Sequence, residues 1–182
     1  MVEFLSFADA DEWDRWLTEH GAASDGAWLR VAKKGMAGLM VEEAGDVAIC
    51  HGWIDSQRRG LDSTHFLQRY SPRRSGSPWS RVNVERVAAL DKTGRMRPGG
   101  QAQVAAAKAD GRWEAAYASQ ANASPPADLV AALADDDSAR RAFEALSRTH
   151  QYALYLPLLK ARTPAARVRA LRRAVATLAG ER

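Results

Sequence analysis

The 182-residue chain has a single cysteine, Cys50, so no intramolecular disulfide can form. A fold stapled by disulfides, as in small secreted domains, is thereby excluded. Four histidines, His20, His51, His65 and His150, are scattered without HxxxH, HxH or CxxC spacing, a pattern that offers no zinc site. Asp55 and Asp62 are too few for a carboxylate cage around a hard cation. No metal and no cofactor are expected. The chain has neither GxxxxGKS/T nor GxGxxG, the signatures of nucleotide-phosphate cradles. It has no GxSxG, which removes the nucleophile elbow. No apolar run approaches the ~18 residues of a membrane span. The N-terminus, MVEFLSFADADEWDRW, lacks the basic and apolar regions of a signal peptide. The expectation is a soluble cytoplasmic protein.

Lysine is also scarce, at 5 residues against 21 arginines among the 26 basic side chains. The net charge is +4 and the isoelectric point about 9.5. Such a balance suits a polyanion as partner. The arginine and alanine excess is equally what a GC-rich genome produces, so the charge does not by itself identify a nucleic-acid binder.

The hydrophobic patterning predicts an α+β protein: a small antiparallel sheet with flanking helices, then a helical C-terminal region. Asp9 and Glu12 have capping-box spacing, and Trp13, Trp16, Leu17 and His20 follow at helical spacing. A strand is predicted over residues 27–33 and a helix over 41–50. Residues 53–59 and 64–70 read as two strands joined by Gly60-Leu61-Asp62. Ser80 caps a helix that Gly94 ends, and Pro98 opens another that runs to Asp110. Beyond it, Ser124-Pro125-Pro126-Ala127-Asp128 reads as a cap, an N1 proline and an acid in the first turn. The triplet Asp135 to Asp137 caps a helix carrying Phe143 and Leu146. The next has a face of Tyr152, Tyr155, Leu156 and Leu159 and a kink at Pro157. Thr163-Pro164 caps the last, with a stripe of Val168, Leu171, Val175 and Leu178. The chain divides into an α+β domain over 1–95 and a helical region over 96–182, which can form one compact unit with the first.

The segment from Cys50 to Asn83 is unlike an ordinary core. It contains Arg58, Arg59, Arg69, Arg73, Arg74 and Arg81, no lysine, Trp53 and Trp79, and the only cysteine. Regular alternation puts Trp53, Asp55, Gln57 and Arg59 on one strand face and Ile54, Ser56 and Arg58 on the other. Asp55 is then expected to pair with a facing arginine such as Arg69. The functional reading is an anion pocket made by Arg58, Arg59, Arg69, Arg73 and Arg74 and floored by Trp53 and Trp79. Guanidinium groups grip phosphate or carboxylate bidentately and stack on aromatic rings. The candidate ligand-binding set is Trp53, Asp55, Arg58, Arg59, Arg69, Arg73 and Trp79. The structural reading, which the residue types favour, pairs these arginines with Asp55, Asp62 and the acids of the first helix. Cys50 and His51, adjacent in sequence, point about 100° apart on a helix and make no thiolate–imidazolium pair by adjacency. A buried, inert thiol is favoured over a nucleophile.

Several blocks recur together: WLRVAKKG at 28–35, ICHGWIDSQRR at 49–59, FLQRYSPRR at 66–74, SPWSRVN at 77–83, GRM at 94–96, AAKADGRWEAAY at 106–117 and LSRTHQYALYL at 146–156. In that order they resemble the YdeI/OmpD-associated family, also labelled bacteriocin-protection proteins. The resemblance implies a small bacterial accessory protein without an assigned reaction, with a role in envelope stress or tolerance of antimicrobials and association with a porin. No catalytic residues come with it. A porin partner requires export, so direct porin contact is not expected of a chain without a signal peptide. Three readings stand: a binding accessory protein with an anionic small molecule or a protein as partner; an enzyme on an anionic small molecule centred on Cys50, His51 or Asp55; and a nucleic-acid binder using Arg167, Arg169, Arg172 and Arg173 of the last helix. Specific nucleic-acid binding is not expected, because no reader motif accompanies that stripe.

Overall fold

The first helix, α1 (Ala10–His20), begins where the capping pattern places it. The Asp9 carboxylate accepts the Glu12 backbone N–H at 2.9 Å, and the Glu12 carboxylate accepts that of Ala8 at 2.8 Å. The computed structural model describes residues 2–180. Its internal contacts separate two units, one running to Trp79 and resuming over Asn83–Ala115, the other made of Ser80–Val82 and the chain from Ala116 onward.

In the first unit, β1 (Ala27–Ala32), α2 (Val41–Cys50), β2 (Trp53–Gly60) and β3 (His65–Pro72) follow α1 in sequence. The strands form one antiparallel sheet in the order β1-β3-β2. The β2–β3 turn is held by Asp62, whose carboxylate accepts the backbone N–H groups of Thr64 and His65 and the Thr64 hydroxyl at 2.7–2.8 Å. These bonds, the Thr64 hydroxyl first, hold its carboxyl down at about 2.

Period-2 alternation on β1 turns Leu29 and Val31 inward, where α1 and α2 bury them with Trp13, Leu17, Val47 and Tyr70. Trp13 is fully buried, and its indole N–H donates to the Ala44 carbonyl at 3.2 Å, so the ring brings no orphan donor into the core. Burial of each such side chain stabilises the fold by roughly 1.5–3 kcal/mol. Then come α3 (Arg81–Lys92) and α4 (Pro98–Ala109). α4 approaches the end of α2 through glycines: a Cβ on Gly100 would strike the Cys50 carbonyl, and one on Gly99 would lie 2.7 Å from that of His51. Gly52, at φ +78°, makes the turn that lets the two meet.

Strict alternation along β2 is broken. A bulge between Asp55 and Arg58 shifts the register, so Asp55 faces Tyr70 and Arg58 faces Gln68, while Arg59 faces Leu67. One extra residue exchanges the two sides of a strand. Arg58 therefore joins Trp53 and Asp55 on the inner side, and Arg59 points outward, the reverse of the sequence expectation. Asp55 does not pair with Arg69, which lies on the opposite face opposite Trp28.

The second unit is helical: α5 (Ala127–Ala134), α6 (Asp137–Glu144), α7 (Arg148–Lys160) and α8 (Pro164–Leu178). Leu129, Leu133, Phe143, Tyr155, Leu158 and Ala174 form its core. Asp136 and Thr163 cap α6 and α8. The Ser124 cap does not form. Pro126 occupies the capping position, because a residue preceding proline is driven out of the α region and Pro125 precedes one. On α8 the small Ala174 turns inward and Val168 is left 47% exposed, so the stripe is rotated from the expected one. On α7, Leu158 is buried while Leu156 is half-exposed. Eight helices and one three-stranded sheet among the described residues make this an α+β protein. None of these helices is long and apolar enough to cross a membrane.

Candidate functional site

The seven residues singled out from the sequence do not share one pocket. Trp53 is buried in the core, edge-on to Trp13 and Trp16 at 6.0 and 6.3 Å between ring centroids. Asp55 is exposed at the sheet edge, and no ion pair forms at it among the described residues. Arg58 folds over Phe66, 4.3 Å from the ring centroid, and donates from Nε to Gln68 Oε1 at 2.9 Å. Gln68 is itself buried and passes its amide N–H on to the Gln57 carbonyl, so this chain is scaffold across the bulge. Arg73 is only 5% exposed. Its guanidinium stacks 3.8 Å from the Trp79 centroid and donates to the Pro78 carbonyl at 3.4 Å, and Trp79 meets Trp113 edge-on. Both are internal packing groups.

Arg59 and Arg69 are different, and β1 supplies their neighbours. The ladder puts Arg30, Leu67 and Arg59 in one row across the three strands and Trp28 beside Arg69 in the next. All five point to the outer face, away from α1 and α2. Arg59 lies 4.9 Å above the Trp28 ring. Arg69 makes one long contact with the Asp25 carbonyl at 3.5 Å, and Arg30 donates to His65 Nδ1 at 3.1 Å. None of the three has a carboxylate partner among the described residues. Leu67, beneath them, is only 5% exposed. Arg30 and His65 also line a hollow of about 360 Å³ with Ser6, Phe7, Gly38 and Leu39. Trp28 and Arg30 were legible as the outward half of the β1 alternation, but the sequence gives no strand order to bring them beside Arg59 and Arg69.

A second cluster centres on His51. Its Nε2 lies 2.8 Å from Asp14 Oδ1, and Arg97 grips the same carboxylate through Nη2 at 2.6 Å and Nε at 3.3 Å. One carboxylate thus ties α1 to the end of α2 and the start of α4. Burial opposes ionisation of Asp14, but the bonds from Arg97 and His51 outweigh it and hold its carboxyl below the ordinary carboxylate range. A cleft of about 740 Å³ opens beside the cluster, lined by His51, Trp53, Arg97, Gln103, Leu17 and Pro72. Asp14 and Arg97, separated by 83 residues, carried no signal in the sequence.

Cys50 offers no nucleophile here. The residue is buried, and burial pushes its thiol up to about 11, so almost none is thiolate at neutral pH. No group of three or more potential metal ligands occurs among the described residues. The arginine stripe of α8 is also broken, since Arg167 is held bidentately by Asp128 of α5 at 2.6 and 2.9 Å.

Residues 5–103 match the family described as Domain of unknown function (DUF8412), and residues 122–180 match the family described as Bacteriocin-protection, YdeI or OmpD-Associated. The resemblance drawn from the sequence is thus found over the last third of the chain. Most of the motifs that suggested it lie in the span of the other family. No curated protein and no solved structure matches the chain. The first match covers more than half of the 182 residues, and the chain belongs to that family.

Proposed function

We propose that this member of the DUF8412 family is a non-catalytic accessory protein of the YdeI/OmpD-associated type that binds an anion on the outer face of its sheet. The match over residues 122–180 supports the type, and a role in tolerance of envelope stress or antimicrobials in the cytoplasm is part of the reading. The observation that carries the binding is that Arg30, Arg59 and Arg69 share one face with no carboxylate partner among the described residues. A guanidinium already paired has little donor capacity left, whereas these three keep most of theirs. Trp28 and Leu67 form an apolar floor between them, which lowers the local dielectric and strengthens each charge-assisted bond.

Thermal unfolding in increasing phosphate or sulfate tests the reading. A ligand that binds only the folded state raises Tm with its concentration. The parent protein is expected to gain stability from phosphate beyond the effect of chloride at equal ionic strength. The double variant Arg59→Ala/Arg69→Ala is expected to lose that gain while its Tm in chloride falls by only a few degrees. An equal phosphate gain in both proteins would remove the site from this face.

A further inference from the structure

The His51 cluster has a different chemistry from the sheet face, and its charges say which ligands it refuses. Arg97 and Asp14 neutralise one another through two hydrogen bonds. The paired Arg97 therefore draws an anion only weakly, and a cation meets the guanidinium edge that lines the cleft. A purely apolar ligand would strand polar groups, at a cost of about 1–3 kcal/mol for each one buried without a partner. What remains is a neutral ligand with matched polar edges.

Those edges can be assigned. A carboxylate only accepts, so Nε2 of His51, the atom 2.8 Å from Asp14, carries a proton. In the neutral ring Nδ1 keeps a lone pair, and it has no hydrogen-bond partner among the described residues. Arg97 uses Nη2 and Nε on Asp14 and leaves Nη1 with its two N–H groups. The Gln103 side-chain amide, on the same wall, makes no hydrogen bond to another described residue and carries both a donor and an acceptor. With the His51 ring neutral, the cleft presents one acceptor, one donor and one reversible amide, beside apolar surface from Ala22, Pro72 and Pro98. Its volume of about 740 Å³ falls in the range of small-molecule sites.

We infer that the cleft between α1, the α2–β2 junction and the start of α4 binds a neutral lactam heterocycle of the nucleobase class. The ring N–H donates to His51 Nδ1, and the adjacent carbonyl accepts from Arg97 Nη1. Gln103 takes a second carbonyl or N–H by turning its amide. Asp14 is the positioning residue, since it fixes both the tautomer of His51 and the orientation of the Arg97 fork.

The test is ¹⁵N NMR of the histidine ring nitrogens, with uracil, benzoate and benzylammonium titrated separately into the full chain. Uracil is expected to move His51 Nδ1 in the direction of a hydrogen-bonded lone pair and leave Nε2 in place. Benzoate and benzylammonium are expected to move neither. The variant Gln103→Leu leaves the Asp14–His51–Arg97 bonds intact and is expected to bind uracil about tenfold more weakly, the loss of one neutral hydrogen bond. A His51 Nδ1 that stays put at saturating uracil overturns the assignment. So does benzoate binding more tightly than uracil, or unchanged uracil affinity in Gln103→Leu. Phosphate binding at the sheet face is read by different residues, so either site can fail without the other.

Discussion

Gly100, in the first turn of α4, rests directly against the carbonyl oxygen of Cys50 at the end of α2. The obstacle to a side chain there is backbone, which cannot swing away. Gly45, within α2, has only the guanidinium tip of Arg86 in the way of a Cβ, at 2.9 Å. Alanine gains about 1 kcal/mol over glycine inside a helix. At Gly45 that gain is offset by disturbance of the half-exposed Arg86–Asp46 pair, worth at most ~1 kcal/mol. Gly45→Ala is therefore expected within about 0.5 kcal/mol of the parent in urea denaturation. Gly100→Ala must separate two helices and is expected to cost about 2 kcal/mol, as overpacking does. Equal stabilities of the two variants would mean the α2–α4 approach is not tight.

Asp14 makes the same region acid-sensitive. Its carboxyl titrates lower in the folded chain than in the unfolded one. Such a group adds stability that is fully present above the unfolded value, near 3.9, and is lost as pH falls through the folded value. Asp62, held at about 2, behaves alike. Stability is thus expected to be flat in pH on their account above about 5 and to decline below about 4. Asp14→Asn should be less stable at neutral pH and show a shallower decline in acid. Parallel curves for parent and variant, followed by circular dichroism, would contradict this account of Asp14.

The placement of these groups shows what could be read in advance. α2 was legible to the residue, because Gly52 ends it and Ala44, Val47 and Ala48 share one face. The hairpin was legible from its turn chemistry. The side of the sheet occupied by Arg58 and Arg59 was not, since a bulge leaves no mark in hydrophobic alternation when the residues involved, Ser56 and Gln57, are polar. Arg73 drew notice as one more arginine of a basic run. Its burial depends on Trp79 and Trp113 folding around it, and those are tertiary contacts. The Asp14–His51–Arg97 cluster joins three elements distant in sequence, and only the assembled core brings them together.

Cys50 should behave as a core residue. With its thiol raised to about 11 by burial, labelling of the native protein at neutral pH is expected to be slow and to follow opening of the fold. In denaturant the same thiol should react at the rate of a free cysteine. Stoichiometric labelling of the native chain within the mixing time would return Cys50 to the list of nucleophiles.

The two arginine–tryptophan stacks separate scaffold from surface. Arg73 over Trp79 is buried, and its aliphatic stem fills space that alanine would leave empty. Arg73→Ala is expected to cost about 2–4 kcal/mol, the range for a large core truncation with loss of a desolvated cation–π contact. Arg73→Met keeps most of the volume and should recover part of that loss. Arg59 over Trp28 is exposed, where a cation–π contact is worth about 0.5–1 kcal/mol. Arg59→Ala is therefore expected to cost less than about 1 kcal/mol. Denaturant unfolding of the three variants checks the order. If Arg59→Ala proves as destabilising as Arg73→Ala, then Arg59 is a structural clamp, and the outer face loses one of the three cations on which its anion binding depends.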